Sequence, residues 1–327
     1  MTQLFHIETA RALYSIGQDY KHLPGVSDAL KLFAPRLGRE DLIVHPRFPC
    51  THLVLVIADN IERSEITHFY EKVGMEIVRY LPAELSSANQ TILQSLERFK
   101  TWLKSGTDNA KFEIEVDGDT FVTYTLNAIE FNHFTHNSRH SLVTELFVIA
   151  ITCAFLRHIS QQKGFVKALY LQHESRASLP SLLAAGDAQV YISQTHTMLA
   201  LDTEFMQQRV KKTRGTKSTA PRPLQTTTFS EELKLGIRPY IGFGNVTTPE
   251  IADVFGIPKR TIQHRLSKEG VSLKEITNSI CVELFDLRYE KGRFEIEDLA
   301  AHLGYSNASS FIRIYKRVTG RTPGQTH

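Results

Sequence analysis

The sequence contains only three cysteines in 327 residues, and they lie far apart along the chain. Cys50, Cys153 and Cys281 therefore offer neither a disulfide framework nor a CxxC metal pair, which favours a reducing, cytoplasmic setting. The N-terminus lacks the charged and then apolar pattern of a secretory signal. The most apolar run, 146–156, is about half of the ~20 residues that span a bilayer. It predicts a buried helix and no membrane partner.

Catalytic and cofactor motifs are also missing. The sequence has no Gly-rich phosphate loop, no GxSxG, no HExxH and no paired-carboxylate motif, so we predict no catalytic residues, no enzymatic activity and no cofactor. A cluster with metal-ligand spacing, His133, His136 and His140, contains no cysteine or carboxylate. We expect no metal there. A weaker alternative places His133 and His136, together with Tyr191, near the pocket of an effector.

Excess charge of one sign is scarce as well, because the net charge is only +3. Its distribution is more informative than its total. Residues 1–210 carry 19 basic and 23 acidic side chains, residues 211–228 carry 5 and none, and residues 229–327 carry 14 and 12. The basic excess therefore lies in the last third of the chain, as expected when only the tail faces a polyanion.

Composition divides the chain into three parts. Residues 211–228 are basic, rich in Pro, Thr and Ser, and hold one large apolar side chain, which predicts an exposed linker. Residues 1–210 mix helical and strand patterns, so we predict an α/β (α+β) domain. Residues 229–327 show only helical patterns and predict an all-α domain.

Hydrophobic periodicity predicts the elements of the first domain. The expected helices cover 4–16, 85–104 and 139–161, with a short one near Leu182. The expected strands cover 53–58, 75–81, 112–116, 121–126, 165–171, 188–193 and 197–201. Asp117-Gly118 is the predicted turn of a hairpin formed by the third and fourth of these strands.

The tail contains one short pattern twice, 48 residues apart, at 251–258 and 299–306. Each copy predicts a short amphipathic helix, a turn at Gly256 or Gly304, and a second helix rich in cations and small polar residues. This is the layout of a helix-turn-helix, whose second helix enters the DNA major groove. Two copies within about a hundred residues predict a DNA-binding protein.

In the first copy, Thr248 is the expected N-cap and Pro249 the first helical residue. Ile262 and Leu266, four residues apart on the second helix, should point inward. The outward side chains near the start of that helix, where base edges are read, are Arg260, Gln263 and His264, with Lys259 beside them.

In the second copy, Ser306 or Asn307 is the expected cap of the second helix. The side chains expected to face the core are Phe311, Ile314 and Tyr315. Those expected to face DNA are Ala308, Ser309 and Arg313, with Lys316, Arg317 and Arg321 suited to phosphates. Arg313 has an alternative partner in the carboxylate of Asp298.

Residues 299–323, LAAHLGYSNASSFIRIYKRVTGRTP, resemble the C-terminal pattern of the AraC/XylS family of bacterial transcriptional regulators. The resemblance covers roughly 229–327. It implies two helix-turn-helix units, joined by a helix over 273–289, that insert into successive major-groove segments on one face of the DNA. By position it implies base contacts at the residues proposed above in both copies. Pro258, Cys281 and the end of the chain, 324–327, depart from the family pattern.

Residues 1–210 resemble, more loosely, the arabinose-binding-like domain of the subgroup that includes ornithine-utilisation regulators. The likeness rests on 146–156, 165–173 and 188–202, and it implies effector sensing or dimerisation. We therefore expect a homodimeric regulator that binds promoter double-stranded DNA, responds to an unknown small molecule, and contacts RNA polymerase if it is an activator. The alternative is a ligand-independent, dimeric architectural DNA-binding protein.

Overall fold

The computed structural model divides the chain into two compact modules. The residues that it describes are 4–35, 37, 42, 44–62, 64–105, 111–117, 121–127, 138–172, 188–211, 228–242, 246–289 and 295–326. The N-terminal module comprises Met1–Phe33 and Arg47–Gln225, and the C-terminal module comprises Ala34–Pro46 and Thr226–His327. A segment near the start of the chain is therefore built into the module that contains its end.

Helices make up most of the N-terminal module. Its elements outside the main sheet are β1 (Leu4–His6), α1 (Ile7–Asp19), α2 (Val26–Lys31), α3 (Arg47–Asn60), α4 (Ile66–Val78), a 3-10 turn at Ala83–Ser86, α5 (Ile92–Ser105), α6 (Ser138–Ser160) and α7 (Thr203–Gln207). The long helix predicted over 139–161 is thus confirmed as α6. Among the described residues, no helix is long and apolar enough to cross a membrane.

Helices α4 and α6 pack closely against each other in this module. Gly74 permits it, because a β carbon there would lie 2.5 Å from the carbonyl oxygen of Ala150 and 2.9 Å from Cβ of Ala154. Phe155 of α6 stacks on Phe99 of α5 with ring centroids 4.3 Å apart, and both rings are fully buried. This apolar contact region is the core of the module.

The main sheet has five strands in the order β3-β4-β7-β5-β6. They are β3 (Lys111–Asp117), β4 (Phe121–Asn127), β5 (Val166–Tyr170), β6 (Gln189–Tyr191) and β7 (Thr197–Asp202). The predicted strands over these residues are confirmed, and β3 pairs with β4 in the antiparallel register expected of a hairpin. Among the described strand pairs of this sheet, β5 and β6 are parallel and the other pairs are antiparallel. Gly118 and Leu182 lie outside the described residues.

Two predicted strands were wrong. Residues 53–58 lie inside α3, and 75–78 form the end of α4 before the chain turns. In α3, Leu53, Val54 and Ile57 are buried and the residues between them are partly covered, so the helix is apolar around much of its surface. A short apolar run of this kind does not distinguish a buried helix from a buried strand.

The C-terminal module contains β2 (Val44–Pro46) and, among the described residues after 227, only helices. These are α8 (Phe229–Ile237), a 3-10 turn at Arg238–Tyr240, α9 (Thr248–Phe255), α10 (Lys259–Lys268), α11 (Leu273–Tyr289), α12 (Ile296–His302), α13 (Ala308–Thr319) and α14 (Pro323–Thr326). The predicted connector over 273–289 is confirmed as α11. It packs against α8, α12 and α13, while β2 packs against α8.

Candidate nucleic-acid interface

The first helix-turn-helix consists of α9 and α10, and α9 has a different cap from the one predicted. Thr247, not Thr248, is the N-cap, and Pro249 is the second helical residue. The main-chain N–H and the hydroxyl of Thr247 both donate to the carboxylate of Glu250 at 2.7 Å, and Glu250 N–H donates back to Thr247 Oγ1 at 3.5 Å. This reciprocal capping box needs its glutamate three residues after the cap, which selects Thr247.

The two turns have the same backbone geometry. Each turn glycine has a positive φ, 63° in the first copy and 90° in the second. Residues with a side chain rarely adopt this conformation. In the first turn Ile257 N–H donates to the Ala252 carbonyl oxygen at 3.0 Å, and in the second Tyr305 N–H donates to that of Ala300 at 3.0 Å. The sequence repeat is therefore also a repeat of structure.

The second helix of the first copy, α10, buries one face and exposes the other. Ile262 and Leu266 are buried, as predicted, at 0% and 4% exposure. The polar and cationic side chains predicted for DNA contact, Lys259, Arg260, Gln263 and His264, are all exposed. Pro258 is the N-cap and supplies no side-chain hydrogen bond.

The second copy consists of α12 and α13, and Asn307 is the cap of α13. Its Oδ1 accepts the Ser310 N–H at 2.8 Å, which selects Asn307 over Ser306. Phe311 and Tyr315 are fully buried. Ile314 was predicted to face the core but is only half-buried, since it lies at the edge of the covered face.

The polar face of α13 is exposed. Ser309, Arg313, Lys316 and Arg317 are exposed, whereas Ala308 is half-buried. Arg313 Nε donates to the Ser309 carbonyl oxygen at 3.4 Å. Within the part of the chain that the structure describes, Arg313 forms no ion pair with Asp298. The arginine therefore stays on the surface of its own helix.

The connector α11 holds the second copy through buried side chains. Phe285 packs on Phe311 with ring centroids 4.7 Å apart, and Tyr315 Oη donates to Asp286 Oδ1 at 2.7 Å. Cys281 stands where the family resemblance implies an arginine. It is buried beside Tyr305, and burial raises the pKa of its thiol although the Tyr305 hydroxyl opposes this. The position serves packing inside the module.

Helix α8 braces the first copy through a residue that the sequence analysis missed. The Glu269 carboxylate, just after α10, accepts the main-chain N–H groups of Phe229 and Ser230 at 2.9 Å each. The guanidinium of Arg265 lies over the Phe229 ring, 5.2 Å from its centroid. These partners are about forty residues apart in sequence, so local periodicity gives no signal for them.

The helix N-termini of this module fall into two classes. Helices α8, α9 and α11 each have, as their third residue, a glutamate that accepts a hydrogen bond from the cap residue: Glu231, Glu250 and Glu275. Helix α12 carries two acids in its first turn. The first turns of α10, α13 and the four-residue α14 contain none. The two helices that were predicted to enter DNA therefore keep the positive ends of their dipoles uncompensated by acid.

The residues proposed for an effector pocket are not gathered by the structure. His133 and His136 lie outside the described residues. Tyr191 lies on β6, is 41% exposed, and stacks on Tyr170 with ring centroids 4.8 Å apart. Within the described residues no group of three or more His, Cys, Asp or Glu side chains could hold a metal ion.

An open groove of about 600 Å³ lies elsewhere in the N-terminal module, between the chain before α5, α5 itself and β3. It is lined partly by Gln90, Glu97 and Arg98, with Leu93 and Ile114 as apolar members. Val210 N–H donates to the Gln90 carbonyl oxygen at 3.0 Å. The wall of the groove is thus hydrogen-bonded to the residues that directly precede the predicted linker.

These features define the C-terminal module as one with two helix-turn-helix units joined by a helical connector. Residues 251–327 match the family model described as "Helix-turn-helix domain". That match covers the last two thirds of the module and both repeated patterns, so the chain carries this domain at its C-terminal end.

Two curated relatives are each similar to this chain over 75 residues. The chain is 31% identical over 75 residues to the HTH-type transcriptional activator CfaD of Escherichia coli and 33% identical over 75 residues to CsvR, another HTH-type transcriptional activator of that organism. Each alignment covers 23% of this chain and 28% of the relative. The chain therefore spans little more than a quarter of the length of either relative.

A likeness to a solved structure extends over more of the chain but is weak. The transcriptional regulator CdpR from Pseudomonas aeruginosa is aligned over 97% of this chain and 96% of its own, with 14% sequence identity and a TM-score of 0.35. A TM-score this low does not establish a common overall fold.

Proposed function

We propose that this chain is a cytoplasmic transcriptional regulator of the AraC/XylS type that binds double-stranded promoter DNA through α10 and α13. One observation carries the proposal: both helices present a face of exposed polar and cationic side chains, and neither helix has an acid in its first turn. The names of the two E. coli relatives, both transcriptional activators, support a role in activation. Contact with RNA polymerase belongs to the same proposal.

The electrostatics of the helix N-termini favour a polyanion at these two helices. An acid in the first turn stabilises a helix by about 0.3–1 kcal/mol, and this module uses that device at four other helices. Its absence from α10 and α13 removes the like charge that would repel DNA phosphates. Main-chain N–H groups at helix N-termini suit phosphate oxygens.

The exposed side chains divide by chemistry into base and phosphate contacts. Arg260 offers a bidentate donor pair for guanine, and Gln263 offers a donor and an acceptor for adenine. His264 lies beside them on the same face. On α13, Ser309 and the half-buried Ala308 are small, so this helix positions the module more than it specifies sequence. Arg313 reaches a base or a phosphate, and Lys259, Lys316 and Arg317 neutralise phosphates.

For the N-terminal module we propose binding of a small-molecule effector and dimerisation. The groove beside α5 supports the first part, because polar and apolar side chains line it together and its wall is bonded to the chain that leads to the linker. An effector acts only if it binds the DNA-competent arrangement with a different affinity from the other. In the alternative, an architectural protein, the module would dimerise and bind no ligand.

Selection of bound sites from a random DNA library tests the DNA-binding proposal directly. The full-length protein should enrich a defined sequence, and its affinity for that sequence should fall steeply as salt rises. A triple variant, Arg260→Ala, Gln263→Ala and His264→Ala, should lose the enrichment while keeping a wild-type thermal transition, since all three side chains are exposed. Enrichment of nothing by the wild-type protein would contradict the proposal.

A thermal-shift screen separates the sensor from the architectural alternative. A ligand at a hundred times its Kd should stabilise the module that binds it by about 2.7 kcal/mol. Arg98→Ala, in the wall of the groove, should reduce the shift for a ligand bound there, whereas Arg79→Ala, another exposed arginine of the same module, should not. Absence of any shift across amino acids, sugars and fatty acids would favour the architectural protein.

A further inference from the structure

The segment from Ala34 to Pro46 is part of the C-terminal module although it is separated from the rest of it by about 180 residues of chain. We call this segment the strap. Its buried members among the described residues are Ala34, Leu37, Leu42, Val44 and His45. Strand β2, the C-terminal end of the strap, packs against α8. Burial of four apolar side chains and a histidine is typical of an integral part of a core.

His45 fastens the strap by hydrogen bonds on both ring nitrogens. Nδ1 lies 2.8 Å from the carbonyl oxygen of Pro46, which can only accept, so Nδ1 carries the proton. Nε2 then accepts the Ala34 main-chain N–H at 3.1 Å, and the hydroxyl of Tyr240 lies 3.1 Å from the same nitrogen. The histidine thereby closes the strap on itself and joins it to the turn after α8.

Helix α8 and the turn that follows it contact the connector α11 and the second copy. Arg238 donates to Glu283 of the connector α11 at 3.0 Å, and Lys234 contacts the same carboxylate. Gly242, two residues after Tyr240, lies so close to the end of α12 that a β carbon would be 2.6 Å from the His302 carbonyl oxygen. At the opposite end of α8, the carboxylate of Glu269, just after α10, accepts the N–H groups of its first two residues. Helix α8 and its turn together therefore contact elements of both copies.

Given the proposed function, we infer that the strap couples the N-terminal module to DNA binding by completing the fold of the C-terminal module. The strap continues directly into α2 on one side and α3 on the other, both in the N-terminal module. A conformational change there, such as one caused by an effector, would act on the strap through the chain itself. The seated strap is then the state that supports DNA binding.

The strap could either support DNA binding or block it. The exposure of the side chains proposed to contact DNA decides between these two roles. With the strap seated, Arg260, Gln263 and Arg313 remain exposed. The strap instead contacts α8 and its turn, which themselves contact elements of the two copies. It therefore stabilises the module without covering the surface that reads DNA, and its loss should weaken binding.

Hydrogen–deuterium exchange and DNA binding of the full-length protein test the inference together. Tyr240→Phe removes one hydroxyl and keeps the ring, and Val44→Asp places a charge at a position that is 2% exposed. Both should raise exchange in 34–46 and 229–242 and lower affinity for a library-selected site, several-fold for Tyr240→Phe and more for Val44→Asp. Tyr80→Phe, in the N-terminal module, is the matched control and should change neither.

Reciprocity gives a second test that needs no variant. If the strap favours DNA binding, bound DNA must favour the seated strap, so wild-type exchange in 34–46 should slow when the selected site is added. Wild-type DNA binding with unchanged affinity for Tyr240→Phe and Val44→Asp would overturn the strap's role and leave the proposed function intact. Higher affinity of either variant would show that the strap inhibits. Failure of the wild-type protein to bind DNA would overturn both.

Discussion

At the scale of single residues, Arg260 is the side chain whose chemistry best fits the recognition of one base. It is exposed in the first turn of α10, where a guanidinium can give two hydrogen bonds to guanine. Arg260→Ala should therefore cost about 1–3 kcal/mol of binding free energy on a selected site and relax the preference at one or two base pairs. Competition between selected and random DNA measures both effects.

A second exposed cation of α10 provides the control for Arg260. Lys268 lies in the last turn of the same helix, away from the N-terminal end that reads bases. Lys268→Ala should leave the ratio of affinities for selected and random DNA almost unchanged. If Arg260→Ala lowers affinity equally for both kinds of DNA, the arginine contacts only phosphate.

His45 gives the C-terminal module a stability that depends on pH. Burial lowers the pKa of this histidine to about 4, although the hydrogen bond to Pro46 opposes the shift. The unfolded chain, with an ordinary value near 6.5, binds more protons between these two values. The contribution is therefore complete above about pH 6.5 and is lost as pH falls toward 4. At pH 5 the loss is about 2 kcal/mol.

Free energies of opening from hydrogen exchange in α8, compared at pH 8 and pH 5, check this expectation. His45→Gln, which cannot take up the proton, should flatten the dependence in α8 while lowering stability at pH 8. His6 serves as an internal comparison, because burial also lowers its pKa to about 4 and it belongs to the N-terminal module. A loss that is the same in α8 of wild type and His45→Gln would contradict the assignment.

The positions of side chains could be predicted from the sequence where they depend only on the period of the helix that carries them. The outward positions of Arg260 and Gln263 and the inward positions of Ile262 and Leu266 follow from the 3.6-residue period. Their contacts with bases remain a prediction. The cap formed by Glu269 could not be predicted, since it joins groups from different helices and depends on tertiary packing.

At the scale of elements, the N-terminus of α13 allows helix stability and DNA affinity to be changed in opposite directions. Ser309 is exposed in the first turn. Ser309→Asp adds an acid near the positive end of the helix dipole and should stabilise the helix by about 0.3–1 kcal/mol. The same carboxylate would face DNA phosphates, so affinity should fall several-fold. Urea unfolding and DNA titration measure the two effects.

Ser309→Asn is the matched control, because it has nearly the same shape as aspartate and no charge. It should leave affinity closer to that of wild type than Ser309→Asp does, and the difference should shrink as salt rises. Equal affinities for the two variants at low salt would show that this end of α13 does not face a polyanion.

Element type was predictable where length or alternation distinguished helix from strand. The 23-residue α6 and the hairpin strands β3 and β4 were predicted correctly, because one is too long for a strand and the others alternate apolar with polar side chains. The segment 53–58 was misassigned because it is short and apolar, and 75–81, which contains Glu76 and Arg79, because it is too short to show a clear period. Tertiary packing, which the local pattern does not show, makes 53–58 and 75–78 helical.

At the scale of the whole molecule, the grouping of 34–46 with the C-terminal module could not be inferred from composition. Linear boundaries were placed where charge and hydrophobicity change, which happens at 211–228. The strap has no such boundary, and its partners lie almost two hundred residues away. A fragment that begins at residue 229 therefore lacks part of the core that the full chain gives to this module.

The rigid connection between the two helix-turn-helix copies leads to a prediction about the DNA site. Helix α11 has 17 residues, so it is roughly 25 Å long, and aromatic and hydrogen-bonded contacts hold α13 against it. Such a module should select two short clusters of preferred base pairs about one helical turn, or about 10 base pairs, apart on one face of the DNA.

Insertion of five base pairs between the clusters tests this spacing, because it rotates one of them to the opposite face. Affinity should then fall to that of a site with one cluster scrambled, and a ten-base-pair insertion should not restore it, because α11 cannot lengthen. Titration of the full-length protein with these four DNA duplexes measures the effect, and retained affinity after the five-base-pair insertion would show that only one copy reads DNA.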